Sequence, residues 1–247
     1  MNFRSYLFFL FLFLLPLIVL SQSDDLKSLQ GAWETTMANP DGDITFVSVI
    51  SDSYYSITRF NKVEKAFYGT SGGAITVGDG QINLTYEYYY TDSSRVGTIE
   101  VLNYSINGDE MTVDGFPNKW RRLDAGQPGA LANAWLITGR KRNGEMTQRK
   151  PGPRKTMKIL SGTRFQWIAY NVETKQFMGT GGGTYTTVDG VYTENIDFFS
   201  RDNSRVGASL EFDYELKDGH WHHSGLSSKG SPIYEVWSPR SDVEKGN

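Results

Sequence analysis

The chain contains no cysteine in 247 residues. That absence excludes disulfides, thiolate metal sites, thiol nucleophiles and lipid attachment to an N-terminal cysteine. Histidine is also scarce, with 3 residues. Net charge is only −3, so the chain lacks the basic field that a nucleic-acid binder needs to neutralise phosphates. No Gly-x-Ser-x-Gly elbow, His-Glu-x-x-His pair, dinucleotide fingerprint or EF-hand loop occurs. No stretch after the first twenty residues carries a sustained helical period, which excludes a helical bundle.

The single long apolar run lies at the start. Arg4 precedes Tyr6–Leu20, and Ser21-Gln22-Ser23 follows. A basic residue, a short apolar region interrupted by Pro16 and small polar residues read as a secretory signal peptide over residues 1–21. The run is short for a spanning helix, so the mature chain is expected to have no stable membrane insertion. Export without disulfides points to a secreted or periplasmic protein of bacterial type.

What is abundant is aromatic residues (14%) and glycine (26 residues), a composition that favours pleated strands and tight turns. It is organised as a repeat. FYGTSGG at Phe67–Gly73 returns as FMGTGGG at Phe177–Gly183, and at the same offset of 110 Asp79-Gly80 falls on Asp189-Gly190 and Ser94-Arg95-Val96-Gly97 on Ser204-Arg205-Val206-Gly207. A period of this length is a whole domain. Two units are expected, at residues 25–124 and 128–240, joined by the turn-rich Asp124–Gly129. Short strands punctuated by Asp-Gly, Gly-Asp and Asn-Gly pairs read as hairpins, and many short antiparallel strands close into a barrel that leaves no free edge. At the unit starts, marked by Trp33 and Trp135, the offset is only 102. The extra residues of the second unit are expected before its Gly-rich stretch, some of them between Thr163-Arg164-Phe165 and Phe177.

Gly31-Ala32-Trp33 on a first strand, with Arg121/Arg122 near the last, resembles the lipocalin (calycin) superfamily. Trp135 and Arg240 carry the resemblance in the second unit, where Asn133 replaces the glycine. The set F-x-G-T-G-G-G-x-Y-T, Y-T-E-N-I, W-x-H-S-G and E-V-W is similar to a lipocalin-like family of bacterial secreted proteins of unknown function. The resemblance implies all-β architecture, two tandem lipocalin-like antiparallel barrels, each able to hold a ligand. No cofactor and no metal are expected.

Comparing the copies separates scaffold from novelty. The glycines shared at Gly73/Gly183 and their neighbours enter a strand rather than a helix, so they read as a kink with close backbone approach, not a phosphate cradle. Strand alternation points Ile82, Leu84, Tyr86 and Tyr88 inward, and Glu194 takes the place of Leu84. Trp221 and His223 replace Met111 and Val113. Glu235 lies two residues before Trp237, the counterpart of Trp120. Glu194, His223 and Glu235 are thus expected inside the second barrel, where ionisable groups must be paired or face a wet cavity. Two readings stand: a ligand site walled by Trp167, Tyr185 and Trp221, or a hydrogen-bonded network that fixes strand register. The first copy, richer in Tyr and Leu, is expected to be filled and to act as scaffold. His220 and His222 fall on the opposite strand face. The basic run Gly139–Lys158 reads as a loop over the mouth of the second barrel, either solvated or steering an anionic ligand.

The expected function is therefore an exported binder of a small ligand of partly polar or anionic character in the second barrel. The alternatives are an isomerase, lyase or hydrolase using Glu194, His223 and Glu235 for acid–base chemistry, and a structural protein-interaction module. Oligomeric state is not legible in the sequence.

Overall fold

The computed structural model describes residues 24–227 and 230–245; the expected signal peptide at 1–21 lies outside them. The chain opens with a short helix, α1 (Asp24–Leu29), and continues as strands β1 (Gly31–Met37), β2 (Ile44–Ser51), β3 (Tyr54–Asn61), β4 (Ala66–Gly78), β5 (Gln81–Tyr89), β6 (Ile99–Asn107), β7 (Glu110–Val113) and β8 (Trp120–Asp124). Each pairs antiparallel with the next, and β8 returns to β1, closing an eight-stranded barrel. The second unit comprises β9 (Asn133–Arg142), β10 (Glu145–Gln148), β11 (Arg154–Leu160), β12 (Arg164–Asn171), β13 (Gln176–Val188), β14 (Val191–Phe199), β15 (Ser209–Lys217), β16 (His220–Leu226), β17 (Pro232–Pro239) and a terminal helix, α2 (Arg240–Lys245). Here β17 closes onto β9, giving a second eight-stranded barrel, with β10 a short hairpin arm folded back on β9. The all-β tandem-barrel architecture is as the repeat and the turns predict.

The registers correct one expectation about the insertion. Trp33 lies opposite Ser48 and Trp135 opposite Lys158. The copy offset therefore rises from 102 at Trp135 to 110 at Lys158, which places eight extra residues in the β9–β11 connection. No residues are gained between Thr163 and Phe177, because β3 and β12 already align at 110, with Ser56 opposite Gly72 and Gln166 opposite Gly182. The Thr-Arg-Phe tripeptides of the two units are a coincidence of sequence. The basic run is accordingly not one loop: it supplies the end of β9, the β10 hairpin and the start of β11.

Gly72-Gly73 and Gly181-Gly182-Gly183 sit where β4 and β13 bend. Pairing shifts register between Gly72 and Gly73, and again between Gly182 and Gly183. A Cβ on Gly73 would lie 2.1 Å from the Thr85 carbonyl oxygen, and one on Gly183 2.0 Å from that of Asn195. Only glycine admits this approach, and the resulting bulge lets a long strand curve around the barrel wall.

One end of the first barrel is plugged by α1. Leu26 and Leu29 pack into the barrel core, and the Trp33 indole donates to the Leu29 carbonyl at 2.9 Å. Arg122 lies 3.9 Å over the Trp33 ring and donates to the carbonyls of Ser28 and Gln30, which ties the plug to the last strand. The second barrel repeats the bond, Trp135 to the Leu131 carbonyl at 2.9 Å, but Arg240 does not take Arg122's place. Arg240 lies instead over Tyr54 of the first barrel.

The two barrels share a third core. Val49, Tyr54 and Tyr88 pack against Leu136, Met157, Ile159, Ile168 and Tyr170. Gln166 is buried in this seam and is satisfied on both sides: its amide oxygen accepts from Ser56 and from Thr58 at 2.8 Å, and its amide nitrogen donates to Thr70 at 3.0 Å and Thr180 at 2.9 Å. Beside it the buried Arg240 guanidinium pairs with Glu87 and, at 2.9 Å, with Glu244; Lys155 bridges the same two carboxylates at 3.2 and 2.8 Å. At the junction Asp124 accepts from Ser161, Gly162 and both the amide and the hydroxyl of Thr163. Burial works against the Asp124 charge, but these donors outweigh it and hold its pKa below the usual carboxylate range.

Candidate functional site

Alternation along β14, β16 and β17 brings Glu194, His223 and Glu235 inside the second barrel, all three buried. The residue that sequence reasoning missed is Lys158, on β11, in the place of Ser48. Its ammonium donates to Glu194 at 2.8 Å, and both side chains are only 6% exposed. The ammonium also lies 4.8 Å from the Trp221 ring centre, 4.9 Å from Tyr192 and 5.4 Å from Trp237, so an aromatic cage replaces its lost water. The offset of 110 carries the signal that would have found it, once the insertion is placed before β11.

Glu235 pairs with Arg140 of β9 and approaches His223 Nδ1 at 3.5 Å, too long for a good hydrogen bond. Burial first, then the Lys158 charge, pushes the His223 pKa below its usual value despite the two nearby carboxylates, so the ring is neutral at pH 7. Burial alone would raise Glu235, but His223, Lys158 and Arg140 together hold it at about 2. Each carboxylate is therefore committed to a cation of the protein.

The interior around these groups is filled. Relative to the first copy, Tyr185 stands for Ile75, Tyr192 for Ile82, Phe212 for Leu102, Trp221 for Met111 and His223 for Val113, and Lys158 for Ser48. Tyr192, Trp221 and His223 stack edge to face at 5.1–5.8 Å, with His223 4.4 Å from Phe212. Tyr185 donates to the Ser161 carbonyl at 2.6 Å, and Trp167 packs against Phe199. The six expected site residues thus lie in one barrel, but as parts of a packed core. His220 and His222 are on the outer face, bonded to Ser238 and Tyr234. Among the described residues no cluster of three metal-ligating side chains forms.

The open space is in the other barrel, and the expectation of a filled first copy is corrected. A cavity of about 280 Å³ lies inside it, lined by apolar side chains including Ile50, Ile75, Leu84, Met111 and Val113, and by Phe46, Tyr55 and Trp120. The physical reason is side-chain volume: at the positions named above the first copy carries the smaller residue of each pair, and eight-stranded barrels have little interior to spare. Two of its lining residues, Tyr55 and Trp120, carry buried polar atoms, the hydroxyl and Nε1, that have no hydrogen-bond partner. Burial pushes the Tyr55 pKa well above its usual value, so this hydroxyl stays protonated. A third polar corner is occupied: Tyr86 donates to Glu100, which also pairs with Arg95 at 3.0 Å.

No protein-family model matches the chain, and no curated protein matches it.

Proposed function

We propose that the protein is an exported tandem lipocalin-like binder whose first barrel carries a small, largely apolar ligand bearing a hydrogen-bond acceptor. The observation that supports this reading is the 280 Å³ cavity, whose lining residues Tyr55 and Trp120 carry a hydroxyl and an Nε1 without hydrogen-bond partners. An indole N–H is a donor only, so it selects an acceptor such as a carbonyl, ether or phenol oxygen. A cavity of about 150 Å³ holds a benzene ring, so this one has room for a bicyclic molecule. The second barrel serves as a packed partner that braces the first through the shared core. The acid–base reading of Glu194, His223 and Glu235 is less supported, since a substrate would have to displace the aromatic cage.

The test is calorimetric titration with 2-naphthol, a bicyclic probe with one oxygen. Saturable binding is expected in the native protein and its loss in Met111→Trp, which installs the second copy's residue in the cavity. Undiminished binding by Met111→Trp would overturn the assignment to the first barrel.

A further inference from the structure

The eight residues gained in the β9–β11 connection build a feature that the first copy lacks. Beside the Arg149–Pro153 segment, at the edge of the second barrel next to β9 and β11, lies an open cleft of about 540 Å³. Its floor is apolar, with Leu136, Val172 and Val243, where the inter-barrel core reaches the surface. Its rim is cationic: Arg149, Lys150 and Arg154 line it, and none of them makes an ion pair among the described residues. Arg149 is held by the Thr156 hydroxyl at 3.4 Å and Arg154 by the Met178 sulfur at 3.4 Å, contacts that leave both charges uncompensated. The one carboxylate in the cleft, Glu244, is already taken by Lys155, Arg240 and the Tyr54 hydroxyl. The crowded cations repel one another: burial, then Arg154, Arg140 and Arg142, push the Arg149 pKa below its usual value against the opposing pull of Glu235.

We propose that this cleft is a second binding site, for a small soluble amphiphile with an anionic head, a phosphate monoester or carboxylate, on a short apolar tail. The head lies between Arg149, Lys150 and Arg154, where a guanidinium offers paired donors to two oxygens of one anion. The tail covers Leu136, Val172 and Val243. A neutral ligand would leave the cations as they are, and a bare inorganic anion would leave the floor wet. The site does not rest on the first-barrel reading, because it shares no residue with that cavity.

The experiment is calorimetric titration of the full chain with hexyl phosphate at low salt, with 1-hexanol as the neutral control. Saturable hexyl phosphate binding is expected, at least about tenfold tighter than hexanol and weakening as salt rises. Arg149→Gln/Arg154→Gln is expected to weaken it about tenfold or more with an unchanged melting temperature, while Met111→Trp leaves it unchanged. Should the double variant melt early, Lys150→Gln supplies the same comparison at an exposed position. Absent binding, equal binding of hexanol, equal binding by the cation variants or loss in Met111→Trp overturns the proposal. So does binding to phosphatidate vesicles without binding to hexyl phosphate, which would make the basic segment a membrane-surface contact.

Discussion

Replacing Glu194 by leucine, the first copy's residue, leaves the Lys158 ammonium buried with no counter-ion. The pair is 6% exposed on each side and 2.8 Å apart. Breaking such a pair from one side typically costs about 3–5 kcal/mol, because the remaining charge must be desolvated, neutralised or accommodated by distortion. The aromatic cage offsets part of this, about 0.5–2 kcal/mol, since its attraction to the ammonium survives. A net loss of roughly 1–4.5 kcal/mol follows, about 2–18 °C in melting temperature for a chain of this size. Removing both charges behaves differently. Glu194→Leu/Lys158→Met keeps the volume and leaves no stranded ion, so the double variant is expected within about 1 kcal/mol of the native protein. Urea denaturation followed by tryptophan fluorescence reads all four corners of this cycle. A single variant as stable as the native protein, or a double variant whose loss equals the sum of the two singles, would refute the reasoning.

Two further outcomes follow from titration in buried places. His223 is neutral in the fold with its pKa depressed, so its contribution is fully present above the unfolded value near pH 6.5 and is lost as pH falls below it toward the folded pKa; His223→Val should flatten that acid slope, of at most about 1.4 kcal/mol per pH unit, in stability measured from pH 7 to 5, and an unchanged slope would remove His223 from the account. At the barrel seam, Arg240→Met leaves Glu87 and Glu244 with Lys155 as their one shared cation and is expected to lower stability by about 3 kcal/mol at pH 7. Glu244 is held at about 2 and Glu87 is lowered, burial being outweighed in each by Arg240 and Lys155. Their stabilisation is present above about pH 4.5 and lost as pH falls toward 2, so the variant should also lose acid sensitivity in that window; an unaltered urea midpoint at pH 7 would contradict the ion-pair account of the seam.

The barrels were legible because strand alternation and turn chemistry repeat at a fixed offset, and the same alternation placed Glu194, His223 and Glu235 inside. Lys158 was not, because it closes a run of basic residues that looks like one solvated loop, and the coincident Thr-Arg-Phe tripeptides draw the insertion to the wrong side of β11. The seam left a fainter mark: Val47, Val49 and Ile50 in β2, and Met157, Ile159 and Leu160 in β11, are apolar on both faces, as strands buried on two sides must be. Polar substitution inside a barrel fits an open site and a packed network equally, and interior volume decides which barrel is open. Trp221, Tyr192 and Phe212 fill the copy that holds the charges, whereas Met111, Ile82 and Leu102 leave the apolar copy hollow.

A ligand seated in the first barrel is visible to methyl nuclear magnetic resonance. The Met111 methyl belongs to the cavity wall and the Met157 methyl to the seam between the barrels. With 2-naphthol bound, intermolecular Overhauser effects are expected from the naphthol ring protons to the Met111 methyl and to Leu84 and Val113, with none to Met157. Effects confined to Met157 or to the second barrel, or none at saturating probe, would contradict the account.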